Sequence, residues 1–165
     1  MESLLEKYTQ HEIDNLSGNN RIKIAESEAD IRNFVEFAIA GNNLGQKMLL
    51  GKINCNLAWK IKTASNSNVD LNAYHLELRA NEIKHLFNHH GNEKTEVPRG
   101  QRTVTVYDIM SIIDVVQNFD EVKKNFDNSL TFIKNANGTI NAITLYATKS
   151  KSLSLQTMWI NRKGS

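Results

Sequence analysis

The densest group of residues able to do chemistry lies in the middle of the chain. Its members are His85, His89, His90, Arg99, Gln101 and Arg102. Histidine has an ordinary pKa of ~6.5 and can therefore donate or accept a proton near neutral pH. Arginine presents a planar set of N–H donors that matches the oxygens of a phosphate. Together these residue types suit proton transfer beside a bound anion.

Helical geometry separates the three histidines. At about 100° per residue, His85 and His89 fall on an exposed face, whereas His90 points toward the expected core. Histidines four residues apart can bind zinc, and the His-Glu-x-x-His motif adds a glutamate base, but Leu86 follows His85 here. A second interpretation stays open, in which the histidines are structural and are favoured by the dipole at the helix end.

The sequence lacks the motifs of several other enzyme classes. Gly41 and Gly45 do not have the spacing or the lysine of a phosphate-binding loop, and no Gly-x-Ser-x-Gly elbow occurs. Cys55 is the single cysteine, so no internal disulfide can form, and we expect it to be a small buried hydrophobe. We predict no metal and no cofactor.

Charge is distributed unevenly along the chain. The net charge is only +2, but residues 128–165 contain no acid and five bases, namely Lys134, Lys149, Lys151, Arg162 and Lys163. Such a surface would attract a phosphate backbone by displacing counterions. Lysines also protect exposed strand edges from aggregation, and both interpretations stay open.

Composition is that of one globular domain. The chain has 165 residues, of which 40% are hydrophobic and 23% charged, as in ordinary folded domains. No run of eighteen apolar residues occurs, and residues 1–16 are charged and amphipathic. We therefore expect neither a membrane span nor a signal peptide.

Apolar periodicity predicts helices first and strands last. We predict helices over residues 2–16, 28–40, 76–90 and 106–117, the last introduced by a Thr105 capping pattern and a polar loop at 92–102. Residues 47–63 are predicted to form a hairpin, and residues 118–124 a short helical turn. Strands at 130–134, 139–148 and 152–160 form an antiparallel meander. The fold class is thus α+β, with N-terminal helices packed on a twisted C-terminal antiparallel sheet.

Several runs resemble a known family of nucleases. They are IKHLFNHHG at 83–91, EVPRGQ at 96–101, VTVYDI at 104–109 and KSKSLSLQTMW at 149–159. These runs resemble the phage-associated branch of the barnase/EndoU/colicin/RelE-like nucleases. The resemblance covers residues 47–159, so we divide the chain into an N-terminal segment at 1–43, a linker or extension, and a nuclease domain at 44–165.

The resemblance implies a set of site residues. The helix histidine of the family corresponds to His85, the histidine before the glycine to His90, the loop arginine to Arg99 and the strand threonine to Thr157. Strand alternation groups Thr157 with residues that face the core. Either that strand bulges or Thr157 is structural.

The resemblance also implies a mechanism, metal-independent RNA cleavage that leaves a 2′,3′-cyclic phosphate. The hypothesis gives His85 general acid–base work and gives Arg99 and Lys134 stabilisation of the transition-state charge. Substrate positioning falls to Thr157 and to a group of candidate substrate-binding residues: His90, Gln101 and Lys151.

Partners and location follow from the same resemblance. RNA, with tRNA among the candidates, is the expected substrate, and an immunity or antitoxin protein is a candidate partner. The domain would be part of a larger phage or toxin polypeptide and would act in the bacterial cytoplasm, delivered there by a phage particle or a secretion system. The alternative is a non-catalytic RNA- or protein-binding domain of a phage particle.

Overall fold

The computed structural model describes residues 5–41, 45–90, 101–136 and 138–162. Within them, nine strands form one sheet accompanied by six helices. The strands are β1 Leu5–Glu6, β2 Ile22–Ile24, β3 Lys47–Ile53, β4 His75–Arg79, β5 Gln101–Arg102, β6 Glu121–Lys124, β7 Leu130–Ala136, β8 Thr139–Ala147 and β9 Ser152–Arg162. The helices are α1 Gln10–Leu16, α2 Glu28–Ile39, α3 Cys55–Ser65, α4 Ala80–His90, α5 Val106–Met110 and α6 Ile112–Gln117.

The sheet is mixed. Its main order is β1-β3-β4-β9-β8-β7-β6, with β2 paired to β3 and β5 paired to β9. The pairs β2–β3 and β4–β9 are parallel, and the others are antiparallel. The α+β class is therefore confirmed, and the predicted meander is present as β7–β9. The predicted C-terminal antiparallel sheet is only one part of the observed sheet, because β1–β4 join it and β4 pairs parallel to β9.

One face of the sheet carries the hydrophobic core. Alternation along β4 directs Leu76 and Leu78 to one side and His75, Glu77 and Arg79 to the other. We call the side of Leu76 and Leu78 the core face, and the side of His75, Glu77 and Arg79 the polar face. Buried residues of the helices complete the core, among them Phe34, Leu57, Ile83, Leu86 and Ile112.

Local sequence signals account for the helices that were predicted. Ser27 caps α2 by accepting from the amide of Asp30, and Gly41 ends that helix region with a φ of 80°, which glycine adopts without strain. Thr105 and Asp108 form a capping box that begins α5. The predicted helices at 28–40 and 106–117 are therefore confirmed, the second divided at Ser111 into α5 and α6.

The second half of the predicted hairpin is a helix. Asn54 accepts from the amide of Leu57 at 2.8 Å and begins α3, which ends at Asn66 in the left-handed conformation. The alternation of Trp59 and Ile61 with lysines was misleading, because in α3 it leaves Trp59 exposed and Ile61 buried. Cys55 is exposed, so the expectation of a buried cysteine is also wrong.

Four other assignments differ from the prediction. Residues 75–79 form β4, so the predicted helix at 76–90 begins only at Ala80. Residues 121–124 form β6 instead of a helical turn, and the predicted helix at 2–16 contains the short strand β1 before α1. The predicted loop at 92–102 ends in β5, and its residues 92–100 lie outside the described residues.

The described part of the N-terminal segment shares the sheet and the core with the rest. β1 and β2 both pair with β3, and Ile31, Phe34 and Val35 of α2 are buried in the common core. The boundary at residues 43 and 44 stays a prediction. No helix in the described ranges is long and apolar enough to cross a membrane.

Candidate active site

A compact group of charged side chains lies on the polar face, where β3, β4 and β9 are neighbours. Lys47 of β3 is in register with Arg79 of β4, and Glu77 of β4 is in register with Ser154 of β9. Residues in register share a face of a sheet. These two strand pairings therefore bring together the carboxylate of Glu77, the basic side chains of Lys47 and Arg79, and the hydroxyl of Ser154.

Glu77 is the centre of this group. Its side chain is 0% exposed, the Nε of Arg79 donates to its Oε2 at 2.7 Å, and the Nζ of Lys47 lies 3.3 Å from its Oε1. Burial alone would raise the pKa of Glu77, but the hydrogen bond from Arg79 and the charge of Lys47 outweigh it, so the pKa is below its ordinary value. Glu77 is thus an ionised carboxylate that holds two cations.

The two cations keep contact with solvent. The side chains of Lys47 and Arg79 are 25% and 33% exposed, and both line a polar cavity of about 320 Å³. The buried carboxylate holds the guanidinium and the ammonium at the wall of this cavity. A phosphate entering the cavity would therefore meet two prepositioned cations.

His75 lies on the same face, two residues before Glu77. Its Nδ1 is 2.7 Å from the hydroxyl of Tyr8, and the two rings stack with centroids 5.6 Å apart. Burial and the nearby charge of Lys52 lower the pKa of His75, and burial raises the pKa of Tyr8 above its ordinary value. At neutral pH His75 is an uncharged imidazole held by a protonated tyrosine.

Thr157 belongs to the polar face because β9 bulges. Thr144 pairs with Thr157 while Leu145 pairs with Leu155, so Gln156 is an extra residue in β9. The bulge reverses the alternation after Leu155 and places Thr157 on the side of Glu77. Of the two interpretations that the sequence left open, the bulge is the one observed.

Thr157 is one member of a row of threonines. Thr131 of β7, Thr144 of β8 and Thr157 are in register on neighbouring strands. The hydroxyls of Thr131 and Thr144 are 2.9 Å apart, and Asn125 donates to Thr131 at 2.8 Å. The row gives the polar face a line of hydroxyl groups beside the charged group.

Gln101 and Lys151 lie toward opposite ends of β9. Gln101 pairs with Asn161, four residues beyond Thr157, which is about 13 Å along a strand, and its buried Oε1 has no hydrogen-bond partner among the described residues. Lys151 is exposed in the turn before β9, and its carbonyl accepts from the amide of His75 at 3.0 Å. Both are within reach of a polymer that crosses the face, but neither contacts the charged group.

His85 lies on α4, which follows β4 and packs on the core face of the sheet through Ile83 and Leu86. It is exposed, as predicted, and its ring centroid is 4.3 Å from that of His89. Glu82, whose charge acts on Arg79, precedes His85 by three residues on the same side of the helix. Arg99 lies outside the described residues, as does the side chain of His90.

Lys134 is separated from the other predicted site residues. It pairs with Asn141, which pairs with Ile160, so its side chain is on the core face of the sheet. There it forms an ion pair with Asp114 of α6. The structure does not bring Lys134 together with Thr157.

Sequence reasoning missed the charged group itself. The signal was present in residues 75–79, where His75, Glu77 and Arg79 alternate with two leucines, the period of a half-buried strand. The partners Tyr8 and Lys47 carry no local signal, because Lys47 meets β4 only through strand pairing and Tyr8 reaches His75 from the segment between β1 and α1. Within the described ranges, no group of three or more His, Cys, Asp or Glu is placed to hold a metal ion.

Comparison with known proteins gives one family. The model described as phage-Barnase-EndoU-ColicinE5/D-RelE like nuclease3 matches residues 57–165. Neither the search of curated proteins nor that of solved structures gave a significant match. The matched segment contains β4, α4 and β9, whereas Tyr8 and Lys47 precede it.

Proposed function

Since the chain belongs to the family of phage-Barnase-EndoU-ColicinE5/D-RelE like nucleases, we propose that it is a metal-independent endoribonuclease. The proposed reaction is attack of a ribose 2′-hydroxyl on the adjacent phosphate, which leaves a 2′,3′-cyclic phosphate and a free 5′-hydroxyl. The observation that supports it is the buried Glu77 carboxylate with Arg79 and Lys47 fixed upon it.

The reaction needs positive charge where the phosphorane forms. Two cations beside the reacting phosphate would neutralise its extra charge without reorganising, because Glu77 already holds them in place. Arg79 and Lys47 thus take the role predicted from sequence for Lys134. Arg99, from the resemblance, would add a third cation to the same site.

Proton transfer in this proposal uses two histidines. His75, uncharged at neutral pH, takes the proton of the 2′-hydroxyl as the new P–O bond forms. His85 gives a proton to the 5′-oxygen as the old P–O bond breaks. Thr157 contacts the substrate on the polar face, Gln101 and Lys151 position the chain farther away, and His90 is a further substrate-binding residue.

Cleavage of total RNA in EDTA tests the proposal. The wild type is expected to produce fragments ending in cyclic phosphate, and Arg79→Ala and His75→Asn are expected to lose most of this activity. Arg32→Ala, a change of the same charge on an exposed residue of α2, serves as the matched control. Undiminished cleavage by Arg79→Ala would refute the assigned site, and cleavage only with added divalent metal would refute metal independence.

The proposed setting is that of a toxin. The enzyme would act on RNA, tRNA included, in the bacterial cytoplasm as part of a phage-encoded or prophage-encoded polypeptide, with an immunity or antitoxin protein as its inhibitor. Induced expression in a bacterial host should then arrest growth. Arg79→Ala should relieve the arrest while Arg32→Ala should not.

A second candidate function is RNA binding without turnover. The complete burial of Glu77 and its bonding to two cations favour it, because such a carboxylate also fits a purely structural role. Salt-dependent binding of RNA, with no cyclic phosphate formed after prolonged incubation, would support this function over cleavage.

A further inference from the structure

The polar cavity beside Lys47 and Arg79 is larger than one phosphate requires. Its volume is about 320 Å³, in the range of small-ligand pockets. Its polar lining comes from Asn19, Arg21, Gln46, Lys47, Arg79 and Asn81. We propose that this cavity binds the nucleotide next to the cleaved bond, and that Arg21 holds the phosphate of that nucleotide.

Strand pairing places the main chain of Arg21 beside that of Lys47, and both residues line the cavity. The amide of Lys47 donates to the carbonyl of Arg21 at 2.8 Å, and the next residue, Ile22, is in register with Lys47 through the parallel pair β2–β3. Lys47 is in turn in register with Arg79. Three cations therefore lie on neighbouring chain segments, in the order Arg21, Lys47 and Arg79.

The three cations differ in how their charge is balanced. Lys47 and Arg79 share the carboxylate of Glu77. Arg21 has no acidic partner among the described residues. The exposed guanidinium of Arg21 next to two other cations raises the local positive potential, and an anion bound there would relieve the repulsion.

Gln46 provides a second sign of a ligand in the same cavity. Its Oε1 is buried without a hydrogen-bond partner in the part of the chain that the structure describes, and an unpaired buried acceptor is costly. A phosphodiester has no proton to donate to this oxygen, but a nucleobase has N–H groups that can. The cavity therefore suits a phosphate and an adjoining base better than a phosphodiester group alone.

The proposal rests on the proposed function, and it assigns a role to the N-terminal segment. Asn19, Arg21, Gln46 and Lys47 all precede residue 57, where the family match begins. An RNA strand that crosses from β4 toward β2 would present one phosphate to Arg79 and Lys47 and the next to Arg21. The segment would thus extend the substrate site by one nucleotide.

Binding of RNA that cannot be cleaved tests the subsite separately from catalysis. The probes are 2′-fluoro oligonucleotides with one, two and four phosphates, titrated into wild type, Arg21→Ala and the control Arg32→Ala. We expect Arg21→Ala to bind the two longer probes about tenfold more weakly, as for one lost charged contact. Binding of the one-phosphate probe should not change.

The salt dependence gives a second readout. Loss of one phosphate contact should reduce the slope of log K against log salt by about 0.7 for a single strand. Arg21→Lys, which keeps the charge, should retain that slope. Equal behaviour of Arg21→Ala and Arg32→Ala, or an equal loss for probes of every length, would overturn the proposal.

The outcomes also separate this proposal from the cleavage proposal. A protein that cuts no RNA but shows the length-dependent loss keeps the subsite and loses the nuclease mechanism. A protein that cuts RNA while Arg21→Ala binds every probe like wild type loses the subsite alone.

Discussion

The polar face around Glu77 and the histidine end of α4 both carry the residue types of a nuclease, yet they are built differently. The polar face draws its residues from three separate stretches of chain. Glu77 contacts Arg79 and Lys47, and His75 contacts Tyr8, at 2.7–3.3 Å. The histidine end offers His85 and His89, which come from a single helix, are exposed and contact each other.

The difference shows how each region can contribute to a reaction. Groups fixed by several partners in a buried network need no reorganisation to stabilise charge. Exposed side chains on one helix keep rotamer freedom, and a bound substrate must order them. We therefore expect the polar face to dominate both stability and catalysis, and the histidine end to contribute at most a proton donor.

Glu77→Gln should produce the largest change. The substitution keeps the shape but removes the charge that compensates Lys47 and Arg79, and breaking a buried ion pair costs about 3 kcal/mol. Urea denaturation should therefore give a correspondingly lower free energy of unfolding. The matched control is Glu121→Gln, since Glu121 forms an exposed pair with Lys123 at 3.7 Å that should be worth less than about 1 kcal/mol.

The same two variants can show that the polar face is not the more tightly bonded of the two regions. If Glu77→Gln and Glu121→Gln lose similar stability, the polar face is not an integrated network. Acid gives a further check, because Glu77 has a lowered pKa. The stabilisation that Glu77 provides is present at pH values above the ordinary carboxylate pKa and is lost as the pH falls through the pKa of Glu77 in the folded protein. The difference in the free energy of unfolding between wild type and Glu77→Gln should therefore shrink in acid.

The contrast also explains what could be predicted from sequence. The histidine end was found because its signals are local: helical periodicity and clustered side chains within 83–91. Residues 76–79 were assigned to that helix because Leu76 fits the same apolar stripe as Ala80 and Ile83. The position of Thr157 required the register of β9 against β8, which is a property of two strands together.

Arg79→Ala should lower kcat about a hundredfold, as removal of one charge-stabilising donor does. The guanidinium binds Glu77 in the free protein, and in the proposed mechanism its remaining donors contact the phosphorane. His85→Ala should cost less, because leaving-group protonation can be taken over in part by water. Initial rates of cleavage of one defined RNA measure the loss in each variant. A larger loss in His85→Ala than in Arg79→Ala would mean that the catalytic centre is at α4.

His75→Asn should have a smaller effect, which is a change in how the stability depends on pH. The pKa of His75 in the folded protein is lowered, so the unfolded state binds more protons in the window just below pH ~6.5, and stability should fall as the pH falls through that window. Denaturation at pH 7.5 and 5.5 should show a steeper loss for wild type than for His75→Asn. His11→Asn, which alters an exposed histidine of α1, should follow wild type; parallel behaviour of all three proteins would contradict the shift.

His89→Ala should have the smallest effect. His89 is exposed and its recorded contact is with the ring of His85, so the free energy of unfolding should change by no more than about 0.5 kcal/mol. Cleavage should also be nearly unchanged if His85 acts alone in proton donation. A strong loss of activity with unchanged stability would mean that the two histidines work as a pair, and the histidine end would then rank beside the polar face as part of the catalytic centre.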